Sequence, residues 1–190
     1  MSIKKEIAEI IPPRKVFVGS PDAKVVLTEF GEYENEGCAK ANEIVKKLLK
    51  EFDGEIKFNF RHFPLIRFHQ RSHKASEAAV AAAQEGKFWE MHNLLFQNRN
   101  SLGVVSLKEY AKAAGVTDKN FLNKMIDSYY GWTVRADLLE ALNKGLKDVP
   151  VFYINGEKFT EQPTLKNLRA GLEYALKRDG KNAVGIKEKI

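Results

Sequence analysis

The sequence predicts an α/β fold: a mixed sheet flanked by helices, interrupted by an all-helical insertion. Three observations lead there. An apolar run at residues 25–30, an amphipathic stretch from 35 to about 52 and an alternating run at 56–60 follow one another as a β-α-β unit, which favours parallel pairing. Residues 69–125 then carry only helical patterns. β character returns in Val151-Phe152-Tyr153-Ile154, turns at Asn155-Gly156 and runs back through Lys158-Phe159, the strongest short signal for an antiparallel hairpin.

Each element has its own local reason. Residues 1–15 read as an N-terminal arm, because Pro12-Pro13 stops any helix begun at Ile3. Residues 16–18 form a short strand, and Gly19-Ser20-Pro21-Asp22 is a turn. In the helix that begins near Asn35, Cys38, Ala41, Val45, Leu48 and Phe52 recur on one face, and Asp53-Gly54 ends it. The alanine-rich stretch 69–84 is helical, Gly86 breaks it, and 88–98 is a second helix. Ser106-Leu107-Lys108-Glu109 has the capping-box pattern that opens another, which Gly115 closes. Thr117 or Asp118 caps the next, and 127–144 carries a longer one. A last helix at about 164–177 covers the sheet. The chain therefore divides into the arm 1–15, an α/β domain of 16–68 and 126–177, the helical insertion 69–125, and a loosely held basic tail at 178–190.

Composition narrows the function classes. With 44% hydrophobic and 29% charged residues the chain is an ordinary soluble globular protein, and no apolar run reaches the ~18–20 residues that span a bilayer. The net charge of +6 comes from lysines scattered among glutamates, without an arginine-rich stripe interleaved with aromatics. This reads as a solvated basic surface, with neither nucleic acid nor membrane as partner. The N-terminal residues lack the apolar core of a secretion signal, so the chain as it stands is cytoplasmic, and extracytoplasmic if a signal has been removed. The four histidines show no metal-ligand spacing beyond His69 and His73 at i, i+4, which lack the His-Glu-x-x-His acid; no metal is expected.

Cys38 is the single cysteine, which excludes an internal disulfide. It falls one turn into the first helix, on its apolar side, where it reads as a small buried hydrophobe whose desolvation opposes thiolate formation. Asn35 stands at the helix mouth and is among the best N-cap residues.

Four stretches in order carry a family resemblance. They are the run from Gly19 through Phe30 to Glu34, then Phe60-Arg61-His62-Phe63-Pro64-Leu65, then Gly86-Lys87-Phe88-Trp89-Glu90-Met91-His92, and Val149-Pro150-Val151-Phe152-Tyr153-Ile154-Asn155-Gly156. Over residues 16–176 the chain resembles the DsbA-like thiol–disulfide oxidoreductases of the thioredoxin superfamily. That resemblance implies a thioredoxin-like sheet and a Cys-x-x-Cys active site at the start of the first helix, where the first thiol attacks a disulfide and the second resolves the mixed disulfide. Here the motif is degenerate, reading Asn35-Glu36-Gly37-Cys38: the second cysteine is present and the first is Asn35.

The resemblance also aligns Glu29 with an acid beneath the active site. From the residues alone, Glu29 is either such a partly buried acid or simply hydrated at the sheet edge. Pro150 aligns with the family's cis-proline beside the peptide-binding groove, and Val149 with the residue before it. The expected function is that of a DsbA-like oxidoreductase relative impaired in dithiol exchange. It would retain a groove for a peptide or protein thiol/disulfide substrate at Glu36, Gly37, Val149 and Pro150, with Cys38, Asn35 and Glu29 in the reactive centre and no cofactor. The alternatives are monothiol chemistry at Cys38, or a glutathione-dependent enzyme resembling the kappa-type transferases and related isomerases. In the latter, Asn35 and the helix N-terminus would hold a bound thiolate.

Overall fold

The computed structural model describes residues 9–185. Five strands form one sheet: β1 (Phe17–Gly19), β2 (Val25–Gly31), β3 (Ile56–His62), β4 (Val151–Ile154) and β5 (Glu157–Lys158), in the order β1-β3-β2-β4-β5. β2 pairs parallel with β3, from Val25↔Ile56 to Gly31↔His62, while β1 on β3, β4 on β2 and β5 on β4 are antiparallel. The sheet is therefore mixed, as the β-α-β unit and the hairpin require. Asn155 and Gly156 both take positive φ, 49° and 81°, which is the backbone a two-residue hairpin turn demands.

β2 lies at the centre of the sheet. Val25 and Leu27 are fully buried on one of its faces, Val26 and Thr28 are partly buried on the other, and from Glu29 onward both faces are closed. Helix α1 (Glu36–Glu51) connects β2 to β3 and turns Cys38, Ala41, Val45 and Leu48 into the core. Burying side chains such as Val45 and Leu48 contributes about 1.5–3 kcal/mol each, so a charge at Leu48 would detach the helix.

Helices α2 (Ser72–Ala83), α3 (Phe88–Gln97), α4 (Val104–Ala113), α5 (Phe121–Ile126) and α6 (Gly131–Asn143) all fall between β3 and β4, and α7 (Leu165–Gly185) follows the hairpin. The alanines explain the position of α2: Ala75, Ala78, Ala79 and Ala82 are fully buried, and their small side chains let α3 and α6 approach closely.

Several boundaries differ from the sequence reading. Ser106 lies inside α4, whose N-cap is Gly103, and its hydroxyl meets that of Ser101 instead at 3.3 Å. Asp118 accepts the Asn120 N–H at 2.9 Å and so shapes the turn ahead of α5, whose own N-cap is Asn120. The long helix begins at Gly131, because Ser128 is left-handed at φ 51°, which helical backbone cannot pass. The expected tail is helical as far as Gly185. A glycine such as Gly180 costs a helix about 1 kcal/mol, which the rest of the segment absorbs without a proline to stop it. The first eight residues of the arm and the last five of the tail lie outside the described residues. The remainder of the arm is held: Ile11 exchanges two hydrogen bonds with the Gln84 amide, and Asn59 Nδ2 donates to the carbonyls of Pro13 and Val16.

Candidate functional site

The first turn of α1 meets the segment before β4. Asn35 has extended backbone, φ −74° and ψ 128°, and its Oδ1 accepts the Cys38 N–H at 3.0 Å. This satisfies one of the donors that the first turn of a helix leaves without an intrahelical partner. Gly37 sits in a tight spot: a Cβ there would lie 3.0 Å from Asn35 Oδ1 and 3.2 Å from Pro150 Cδ, closer than ordinary contact. The missing side chain thus brings Pro150 against the helix start. The Val149–Pro150 bond is cis. Val149 is buried, with its N–H donated to Asp148 Oδ1 at 2.8 Å, while Pro150 is half-buried. Glu36 points outward and pairs with Lys40 at 2.7 Å, and the Lys40 ammonium holds its carboxyl below the usual range.

Cys38 has 0% exposure. Burial pushes its thiol well above the ordinary value, and the Glu29 carboxyl raises it further; a hydrogen bond to the Glu32 backbone acts the other way. A thiol in this setting is protonated and shielded.

Glu29 resolves the choice left open by its sequence. It is not at a sheet edge but in central β2, opposite Phe60 on one side and Phe152 on the other, and almost completely buried. Burial pushes its carboxyl well above the carboxylate range, and Oε1 has no hydrogen-bond partner. Gly31 makes room for it, since a Cβ there would lie 2.9 Å from Glu29 Oε1 and 2.8 Å from the Phe60 ring.

From Pro150 a shallow cleft of about 200 Å³ runs along Phe152, Lys158 and Phe159 to Pro163. The structure thus gathers Asn35, Gly37, Cys38, Val149 and Pro150 at one end of the sheet, with Glu29 coupled to Cys38 from within. Glu36 alone faces away.

A sequence-family model described as Thioredoxin matches residues 12–174. The chain belongs to the thioredoxin family. Among curated relatives it is 33% identical over 154 residues to the Na(+)/H(+) antiporter NhaA 1 of Mycobacterium sp. (strain KMS), covering 80% of this chain and 25% of that protein. To the protein of the same description from Mycolicibacterium gilvum it is 31% identical over 156 residues, 81% of this chain and 25% of the relative. The chain spans about a quarter of the length of the curated relatives it matches.

Among solved structures, oxidised BdbD from Bacillus subtilis superposes with a TM-score of 0.78 at 23% identity, covering 87% of this chain and 93% of that one. The thiol-disulfide exchange protein alpha-DsbA2 from Wolbachia pipientis gives 0.72 at 21%, covering 83% and 85%. These likenesses establish a DsbA-like thioredoxin fold. Among the described residues no helix is long and apolar enough to cross a membrane.

The thioredoxin-family site has supports that sequence reasoning missed. Glu32, in the loop before Asn35, is fully buried and contacts His69 Nδ1 at 2.5 Å, while Glu34 accepts the Arg71 N–H at 2.8 Å. The loop is thereby tied to the start of α2. Burial raises the Glu32 carboxyl, opposed by Ser72 and His69. His92 links Tyr33 Oη at 3.1 Å and Asn42 Oδ1 at 3.2 Å, and burial pushes it well down. His62, whose two nitrogens have no partner, is lowered to about 3 by burial. The i, i+4 pair separates in role: His69 meets Glu32, and His73 faces Glu77 at 3.5 Å. The only hint in the sequence was two acids, Glu32 and Glu34, in the short connection before Asn35; their partners lie more than thirty positions away.

Proposed function

We propose that this thioredoxin-family protein binds extended protein segments in the cleft beside Pro150 and is impaired in dithiol exchange. The observation that carries the reading is the 3.0 Å hydrogen bond from the Cys38 N–H to Asn35 Oδ1. The helix mouth is where an attacking thiol would gain most from oriented N–H groups, and here it holds a neutral cap with no nucleophilic atom. A thiolate that opens a substrate disulfide forms a mixed disulfide and releases one thiolate; a second thiol must then displace the substrate. This chain has one cysteine, so that second displacement has no internal donor. Burial and the neighbouring Glu29 keep the remaining thiol protonated.

Two assays test the reading together. Reduction of a peptide disulfide should be negligible for the natural chain and should appear in Asn35→Cys, which restores the pair on an intact frame. Turnover by the natural chain comparable to that of Asn35→Cys would overturn the loss of exchange. Binding of a fluorescent extended peptide should weaken when Pro150 is replaced by Ala; binding unaffected by that change would remove the groove from the proposal. Glutathione serves as a further probe. A melting temperature that rises with glutathione concentration would favour the glutathione-dependent alternative instead.

A further inference from the structure

We propose that the outer face of α6, with the turn after β3, is a docking surface for an amphipathic helix bearing acidic side chains. Helix α6 is apolar on two sides. Val134 and Ala141 turn inward, beside the Asp137 that binds Arg61, while Trp132, Leu139 and Leu142, at i, i+7 and i+10, form a second stripe facing out. A helix with apolar residues on its solvent side is incompletely covered. Trp132 is 79% exposed, and from the neighbouring turn Phe68 is equally exposed and Ile66 more than half so. Scattered exposed apolar residues are ordinary; these are contiguous.

Two clefts of about 460 and 390 Å³ open on this face, and they share Ile66, Leu138 and Leu142 as a common wall. Adjacent clefts of this size receive successive anchor side chains of a helix, as in helix-in-groove recognition.

Charge selects the occupant. The ionisable residues lining the two clefts are Arg67, Arg135, Lys147 and His73, with no acid among them. Arg135 lies 5.5 Å over the Trp132 ring, so its charge stands at the edge of the apolar stripe. A second copy of the chain would set this cationic rim against itself in a two-fold contact, and the whole chain carries +6. A lipid surface takes up protruding apolar groups and gains nothing from walled clefts. An acidic amphipathic helix satisfies the stripe, the clefts and the rim together. The inference is independent of the thiol reading, because neither Asn35 nor Cys38 lines this face.

The test is selection of the full chain against a displayed library of helical peptides with a fixed leucine stripe and randomised flanks. Enriched peptides should carry Glu or Asp beside the stripe, and binding should blue-shift the emission of exposed Trp132. Leu139→Ser should weaken binding at least ~10-fold, Arg67→Glu should weaken it and reduce its salt dependence, and Asn35→Cys should leave it unchanged. Failure to enrich a binder, or enrichment without acidic bias, would overturn the proposal. So would dimerisation abolished by Leu142→Glu in sedimentation, or uptake by anionic phosphatidylserine vesicles in place of the peptides. Arg67, Leu139 and Leu142 are exposed positions, and circular dichroism of each variant separates lost binding from lost folding.

Discussion

Asn35 and Cys38, the first and last residues of the stretch Asn35-Glu36-Gly37-Cys38, are joined by one hydrogen bond from the Cys38 N–H to Asn35 Oδ1 at 3.0 Å. Asn35 therefore has a structural task, which can be measured. Asn35→Ala should lower unfolding free energy by about 1 kcal/mol, and Asn35→Asp, which retains the accepting oxygen, should recover most of it. Urea unfolding of the three proteins checks this; equal midpoints for the natural chain and Asn35→Ala would remove the cap from the account.

Burial of Cys38 predicts slow chemistry. A thiol reagent should modify the native protein far more slowly than the unfolded one at neutral pH, and the native rate should rise only well above the ordinary thiol value of 9.0. Because the folded value is the raised one, the stability tied to this thiol is complete below 9.0 and is lost as pH rises through the folded value. Stopped-flow labelling with and without denaturant measures both. Equal rates would mean that the sulfur is open to solvent.

Glu29 gives a pH dependence of the same sign in a lower range. Its folded value lies well above 4.5, so above 4.5 the unfolded state loses a proton that the folded state keeps. The associated stability falls as pH rises toward the folded value. Glu29→Gln should therefore match the natural chain most closely below 4.5 and become progressively more stable than it above. A stability difference that does not change with pH would show that Glu29 is ionised in the folded protein.

His62 works in the opposite direction. Its folded value is about 3 against 6.5, so the unfolded state takes up a proton first as pH falls below 6.5. Stability is lost at up to about 1.4 kcal/mol per pH unit across that window. His62→Phe fits among Tyr33, Phe60 and Phe88 and should flatten the acid limb of the stability curve. An unchanged limb would assign the acid sensitivity to other groups, His92 first among them.

Arg61 and Asp137 bind α6 to the sheet. Arg61 Nε and Nη2 both reach Asp137 Oδ1, at 2.9 and 2.7 Å, and Asp137 Oδ2 accepts the His62 N–H at 3.0 Å. Asp137→Ala leaves a buried guanidinium short of its main partner and should cost about 3–5 kcal/mol. Thermal unfolding that shifts no more than for an exposed substitution would show that Glu140 compensates alone.

Much of this was legible in the sequence where the cause is local. The Asn-Gly turn, the apolar spacing of α1 and the preference of Asn35 for an N-cap each depend on a few neighbouring residues, and each is found where the residues put it. The helical boundaries slipped where local signals competed. Ser106 carries a capping pattern, yet α4 starts earlier from Gly103, and the left-handed Ser128 delays α6. The supports of the site were not legible. Glu32 meets His69 and Tyr33 meets His92 only because the chain returns after the sheet is built, and no local preference records that return.

The sequence by itself determined the order of elements and the presence of a single cysteine, because strand period, helix period and residue identity are properties of short segments, and its resemblance to the DsbA-like proteins implied the thioredoxin-like frame. Tertiary structure alone decided that Glu29 lies in a central strand, that Gly37 admits Pro150 to the helix start, and that α6 shows a second apolar stripe. Burial and proximity depend on what packs against a residue from distant parts of the chain, and they set the protonation and access on which any chemistry here depends.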